Sequence, residues 1–237
     1  MDVVAIASRK GGSGKTTLAG HLAVQAERAD GRAVALIDTD PQGSLADWWN
    51  SRSAETPRFV QTNADQLASD IDRLRETDID LVIIDTPPAM TESVAATLRQ
   101  ADLVIVPTRP SPHDLRSIGA TVALAEELGK PLLFVLNGAA PRARITNEAV
   151  AVLSRSGTLV PSIVHQRVDF ASSMIDGRTA LELPDSHRAA QEIADVWQYV
   201  ADRLNNRLQR FSLPDLPMRS PLLRPLPEVR QFADDAA

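Results

Sequence analysis

Cysteine is absent from the 237-residue chain. That excludes disulfides, thiolate zinc sites, iron–sulfur clusters and thiol nucleophiles. Long apolar runs are missing as well: none approaches the ~18 residues needed to cross a bilayer. The run Val3–Ala7 ahead of Ser8-Arg9-Lys10 is too short for a secretory leader. A basic excess is also lacking, and a formal net charge of -6 does not advertise nucleic-acid binding. Lysine is absent between Gly138 and Arg230, yet arginine recurs there from Arg142 and Arg144 to Arg224. A local basic face on an acidic protein therefore stays open. The expectation is a cytoplasmic protein of ordinary globular composition, with one large α/β domain rather than two small ones.

Short apolar runs alternate with amphipathic stretches. Val3–Ala7, Ala33–Ile37, Arg58–Gln61, Leu81–Ile84, Leu103–Val106, Leu132–Leu136 and, more weakly, Leu159–Val164 read as strands. Leu67–Leu74, Ser93–Leu98, Leu115–Leu128 and Asn147–Leu153 read as helices between them. This alternation predicts a mostly parallel, twisted sheet covered by helices on both faces. Asp185 or Ser186 is placed to cap a last helix running to about Arg210, with Ile193, Val196, Trp197, Val200, Leu204 and Leu208 on its buried face. Residues 1–210 read as a single domain. Beyond Phe211, Pro214, Pro217, Pro221, Pro225 and Pro227 exclude a helix, so residues 211–237 are expected to form an extended or disordered tail. Such a tail cannot supply an amphipathic membrane helix, and no membrane partner is expected.

The chemistry begins at Arg9–Thr17, RKGGSGKTT. A strand leads into Gly11, Gly12, Ser13 and Gly14, and a helix follows from Thr16. Glycines bring bare backbone close to a ligand, and the helix N-terminus adds N–H donors and a positive dipole end. Lys15 is positioned for the β- and γ-phosphates of a nucleotide, and the Thr16 hydroxyl for Mg²⁺. The G-x-x-x-x-G-K-[ST] pattern is imperfect, with Arg9 where glycine is expected and a second lysine, Lys10, in front.

Two further segments carry carboxylates. The second strand runs into Asp38-Thr39-Asp40-Pro41-Gln42-Gly43-Ser44, and Leu81–Ile84 ends in Asp85. Asp38 and Asp40 also suit a capped turn, but beside a phosphate loop one can serve the Mg²⁺ shell and the other orient a water. Asp85 fits a Walker B carboxylate that binds Mg²⁺ through water. Trp48 and Trp49 diverge by about 100° on a helix, so one is expected to pack and the other to lie near an interface.

The segments KGGSGKTT (Lys10–Thr17), DTDPQGS (Asp38–Ser44) and IIDTPP (Ile83–Pro88) resemble the ParA/MinD family of deviant-Walker P-loop ATPases, most closely its small partition members. IVPTRPSPHDL (Ile105–Leu115) and RVDFASSMIDGRTALEL (Arg167–Leu183) match more loosely. The likeness covers Val3 to about Arg210. It implies a P-loop fold and hydrolysis of ATP with Mg²⁺, in which Thr16, Asp38 and Asp85 serve the metal. Lys10 resembles the signature lysine that contacts phosphate across an ATP-bound homodimer, and Asp40 the residue that positions the hydrolytic water. Gly11 to Thr17 would cradle phosphates, Asn137 would contact the adenine, and Asp85–Met90 would sense the γ-phosphate.

The resemblance further implies non-specific DNA binding, a nucleoid-associated location and release by a centromere-binding or cargo-adaptor protein. Arg203, Arg207 and Arg210 share a strip of the last helix and suit phosphate contacts, although a solvated charged face would look the same. A sequence-specific helix-turn-helix is not expected ahead of a strand that begins at Val3. Other cargoes stay open: a chemoreceptor cluster, a microcompartment or a conjugative DNA complex. An ATP-dependent metabolic ligase on the same fold is the more distant alternative.

Overall fold

Strand β1 (Asp2–Ile6) lies at the centre of the sheet, with β4 (Leu81–Asp85) on one side and β5 (Leu103–Thr108) on the other. The computed structural model describes residues 1–63, 65–89 and 91–205. Arg207, Arg210, the end of the last helix and the Pro-rich segment lie outside the described residues, as does Met90.

From β1 the chain runs through α1 (Lys15–Asp30), β2 (Val34–Asp38), α2 (Ser44–Asn50), β3 (Arg58–Val60) and α3 (Leu67–Arg75) to β4. It continues through α4 (Glu92–Gln100), β5, α5 (Pro112–Glu127), β6 (Leu132–Ala139) and α6 (Arg144–Ser156). Two short strands, β7 (Thr158–Leu159) and β8 (Val164–His165), precede α7 (Val168–Met174), a 3₁₀ turn (Ala180–Glu182) and α8 (His187–Asn205). Strand order is β3-β2-β4-β1-β5-β6-β7, with β8 pairing farther along β6 and every pairing parallel.

The strand runs are continuously apolar because both faces are covered. Val4, Ile6, Leu36, Ile83 and Ile105 face α1 and α8. Their alternating neighbours face the other way, Val3, Ile37 and Val82 against α3, and Ala5, Val104 and Phe134 against α4, α5 and α6. Parallel pairing puts all the strand C-termini on one edge. Strand order reverses about β1 there, which is where open α/β sheets bind ligands.

The helices are longer than their apolar stripes predicted. Pro112 opens α5 three residues early because Ser111 caps it, accepting from the Asp114 N–H. The expected strand Leu159–Val164 is instead the pair β7 and β8, broken around Pro161, which has no N–H to give the ladder. Ser186 precedes α8 as foreseen, but its hydroxyl donates to the Ala180 carbonyl instead of capping the helix. Helix α7 and the 3₁₀ turn carry no strong periodic signal and were not anticipated. Among the described residues, no helix is long and apolar enough to cross a membrane.

Candidate nucleotide-binding site

Between β1 and α1 the backbone curls through left-handed glycines, Gly12 at φ 71° and Gly14 at φ 95°. Gly14 is required twice over. It takes a conformation that costs other residues energy, and a Cβ there would lie 2.0 Å from Asn137 Nδ2. That amide donates to the Ser13 carbonyl at 2.7 Å, so the end of β6 fastens the loop. Helix α1 then begins with no side-chain cap and no acidic residue in its first turn, which leaves its N–H groups to an anion.

Lys15 is only 7% exposed. Burial lowers its pKa, with the charges of Asp85 and Asp40 opposing. A cleft of about 410 Å³ opens over the loop, lined by Gly11, Gly12, Lys15, Asp40, Pro88 and Arg109 among others. Lys10, five residues away in the same loop, is exposed. The two lysines therefore sit in opposite environments.

Register brings the acids together, because Asp38 of β2 and Asp85 of β4 are direct partners. Asp85 is 1% exposed, and one of its oxygens accepts from the Thr16 hydroxyl at 2.5 Å. The other, Oδ1, is buried without a hydrogen-bond partner among the described residues. Burial, reinforced by the charge of Asp38, pushes the Asp85 pKa up to about 7, against the Thr16 hydroxyl and Lys15. An orphaned carboxylate oxygen beside a threonine hydroxyl is a hard-oxygen environment short of positive charge. These residues fit Mg²⁺.

Asp38 is placed differently. One oxygen accepts from the Asp40 N–H at 2.9 Å, and the other from Leu45 and Ala46 at 3.0 and 3.1 Å. It braces the turn that carries Asp40 and the start of α2. Burial raises its pKa, and those three N–H donors pull the other way. Asp40 accepts from the Gln42 N–H at 3.0 Å and lines the cleft together with Arg109.

A second polar network, not foreseen from the sequence, lies behind the site. Ala180 N–H donates to His21 Nε2 at 3.0 Å, so the ring proton is on Nδ1, which donates to the Thr17 carbonyl at 2.7 Å. Burial pushes the His21 pKa down to about 4, and the Thr17 carbonyl and the charge of Glu182 oppose it. Arg52 makes a two-pronged pair with Glu182 at 2.7 and 2.9 Å, donates to the Gly177 and Thr56 carbonyls, and lies over the Trp48 ring. Trp48 packs under α1 at Gly20, where a Cβ would sit 3.2 Å from the indole, and donates to the Arg178 carbonyl. Trp49 is half-buried against Phe59 and donates to the Pro57 carbonyl. Both indoles are thus engaged within the chain.

The structure therefore brings Gly11 to Thr17, Asp38, Asp40, Asp85 and Asn137 to one edge of the sheet, together with Arg109, which sequence reasoning missed. Its signal was available, as a cation directly after a strand C-terminus. Arg203 is not part of this group. It is exposed near the end of α8, next to Asp202 and eight residues beyond Asp195.

Residues 4–180 match the profile of the CobQ/CobB/MinD/ParA nucleotide binding domain. The chain belongs to this family. It is a P-loop ATPase of the ParA/MinD type. The chain is 30% identical over 205 residues to the maintenance of carboxysome distribution protein A of Halothiobacillus neapolitanus, covering 81% of this chain and 93% of that one. It is 28% identical over 154 residues to the chromosome-partitioning ATPase Soj of Thermus thermophilus, spanning 53% of this chain and 61% of Soj. A Cyanothece McdA–ATP complex shares the fold at a TM-score of 0.69 and 20% identity, over 85% of this chain and 96% of that chain.

Proposed function

We propose that this ParA/MinD-type ATPase is an ATP-operated dimer switch that positions a cargo. The contrast between its two loop lysines supports this most directly. Lys15 is buried in the cleft, where it serves the chain's own nucleotide, whereas Lys10 is exposed at the loop's front edge. An exposed lysine there suits a phosphate presented by a second subunit.

Thr16 and Asp85 Oδ1 would hold Mg²⁺, which when bound neutralises charge on the β- and γ-phosphates. The N–H groups of Gly11 to Thr17 and Lys15 bind and orient the polyphosphate. Asp40, in the turn that Asp38 braces, orients the attacking water from the cleft wall. Positioning and charge neutralisation carry most of phosphoryl transfer, so no covalent intermediate is required. Loss of the γ-phosphate would be sensed by Thr86–Ala89, directly after Asp85 and against Gly11.

Light scattering with ATP, with ADP and without nucleotide tests the switch in wild type and Asp40→Ala. ATP should produce a dimer, and the variant should keep it longer. A monomer under all conditions would sink the proposal.

The ATP-bound dimer would bind DNA without sequence preference and be released when an adaptor stimulates hydrolysis. The cargo is DNA in the partition reading. A microcompartment cargo is a second reading, and it gains weight from the carboxysome-distribution relative that matches most of the chain. Stimulation by DNA together with a small DNA-binding adaptor favours partition. Stimulation by an adaptor that binds shell protein favours the microcompartment. Stimulation by a small acid or amine would favour a metabolic ligase over both.

A further inference from the structure

Arg109 has no role in the hydrolytic scheme above, yet it lines the same cleft as the phosphate loop. It follows β5 directly, where Thr108 is in register with Leu136, so it stands level with Asn137 at the end of β6. Its stem crosses the backbone at Gly138. A Cβ there would meet Arg109 Nε at 3.4 Å and Cγ at 3.6 Å. Neighbouring residues at the end of β6 thus do two things: Asn137 ties down the loop, and Gly138 leaves room for the guanidinium.

The charge of Arg109 is uncommitted among the described residues. Arg52, Arg58, Arg99, Arg144, Arg167 and Arg178 each make an ion pair with a carboxylate. No described carboxylate pairs with Arg109, whose side chain is exposed beside the cleft. A guanidinium offers planar, paired donors that match phosphate oxygens.

Sheet order then says which part of a nucleotide it meets. Along β2-β4-β1-β5-β6, Asp38 and Asp85 lie on the β2/β4 side of the loop, and Arg109 and Asn137 on the β5/β6 side. With Mg²⁺ held by Thr16 and Asp85 as proposed above, the metal and γ-phosphate end would lie toward β4, where these two side chains meet. The β5 side receives the part that ATP and ADP share.

We propose that Arg109 is a further nucleotide-binding residue, its guanidinium holding the α- and β-phosphates common to ATP and ADP. This rests on the ATP assignment of the site. It predicts a binding residue rather than a hydrolytic one.

The test is titration of wild type, Arg109→Ala and Arg109→Lys with fluorescent ATP and ADP analogues, alongside steady-state ATPase kinetics. A charge-assisted phosphate contact implies that Arg109→Ala weakens both nucleotides by roughly 10-fold or more. KM should rise by a similar factor with kcat within about 2-fold, the signature of binding lost equally in ground and transition states. Arg109→Lys should recover part of the affinity. Circular dichroism should show wild-type melting, since the side chain is exposed; if Arg109→Ala fails to fold, Arg109→Gln takes its place. Wild-type affinity for both nucleotides in the Ala or Gln variant would overturn the proposal. So would a loss confined to ATP with a matching fall in kcat, which would put the guanidinium on the γ side. Failure of the wild type to bind either nucleotide would instead overturn the ATP assignment itself.

Discussion

Two groups of polar side chains flank α1 and α2, one at the phosphate loop and one where the helices meet the 3₁₀ turn, and they differ in how much of their hydrogen-bonding capacity is used. Behind the helices, His21, Arg52, Glu182 and Trp48 are tied to backbone carbonyls, N–H groups and one another. At the front, Asp85 Oδ1 and Ser13 Oγ are buried with no hydrogen-bond partner among the described residues. Burial alone therefore does not mark a functional group. A saturated network holds helices in place, whereas an unsaturated one leaves room for a ligand to complete it. The same two helices join the regions: α1 carries both Lys15 and His21, and α2, which carries Trp48, follows the turn that holds Asp40.

Substitutions should separate the two regions, costing activity at the front and stability at the rear. Asp85→Asn should lower Mg-ATP hydrolysis by roughly 10³-fold, about 4 kcal/mol of transition-state stabilisation. It should not lower the melting temperature measured without nucleotide. The sign follows from the raised pKa: ionising Asp85 disfavours the fold as pH rises from 3.8 through about 7. At pH 8 the variant should thus melt at or above wild type, and a large drop would show that Asp85 holds the fold as the rear network does.

Arg52→Ala is the reverse case. It leaves Glu182 half-buried without its cation, at a cost of about 3 kcal/mol, or roughly 10 °C in Tm for a chain of this size. Hydrolysis by the molecules that remain folded should change little at low temperature. Thermal melts paired with ATPase assays at 20 °C check both halves.

His21 gives a pH test of the rear network. Its folded pKa of about 4 lies below the ordinary 6.5, so its contribution is complete above pH 6.5 and is lost as pH falls toward 4. The full difference is about 3 kcal/mol. Urea unfolding at pH 7.5 and pH 4.5 should show most of it in wild type and little in His21→Asn. Equal acid losses in the two proteins would assign the effect to other groups.

Asn137→Ala acts within the front region, because it removes the tie to the Ser13 carbonyl without touching the acids. ATP and ADP affinity should both fall about 10-fold, the worth of one hydrogen bond of about 1.4 kcal/mol. Arg203→Ala is the smallest change expected. It should reduce non-specific DNA affinity less than ~10-fold and the salt slope by about one. An unchanged gel shift would move the DNA surface off the described part of α8, where Asp195 and Asp202 accompany Arg203.

Much of the front region was legible in the sequence because its chemistry is local. The loop's glycines and lysines lie within six residues, Asp38 and Asp85 end strands, and Asp40 follows two residues after one, so strand recognition places all three acids on the ligand edge. The rear network was not legible, because its partners are far apart in the chain: His21 with Ala180, Arg52 with Glu182, Trp48 with Arg178. Arg109 fell between these cases. Its position after a strand was visible, but its place over Gly138 depends on how β5 and β6 lie side by side.

By itself the sequence determined a parallel sheet covered on both faces, a phosphate loop with two lysines, and three acids on one edge. Those follow from residue type and period, which act over a few neighbours. Only the tertiary structure decided that Asp38 spends its oxygens on backbone N–H groups while Asp85 keeps one free. It also decided that Lys15 is buried while Lys10 is exposed. Each of these depends on solvent exclusion and on the order of strands, and no local stretch of the chain encodes either.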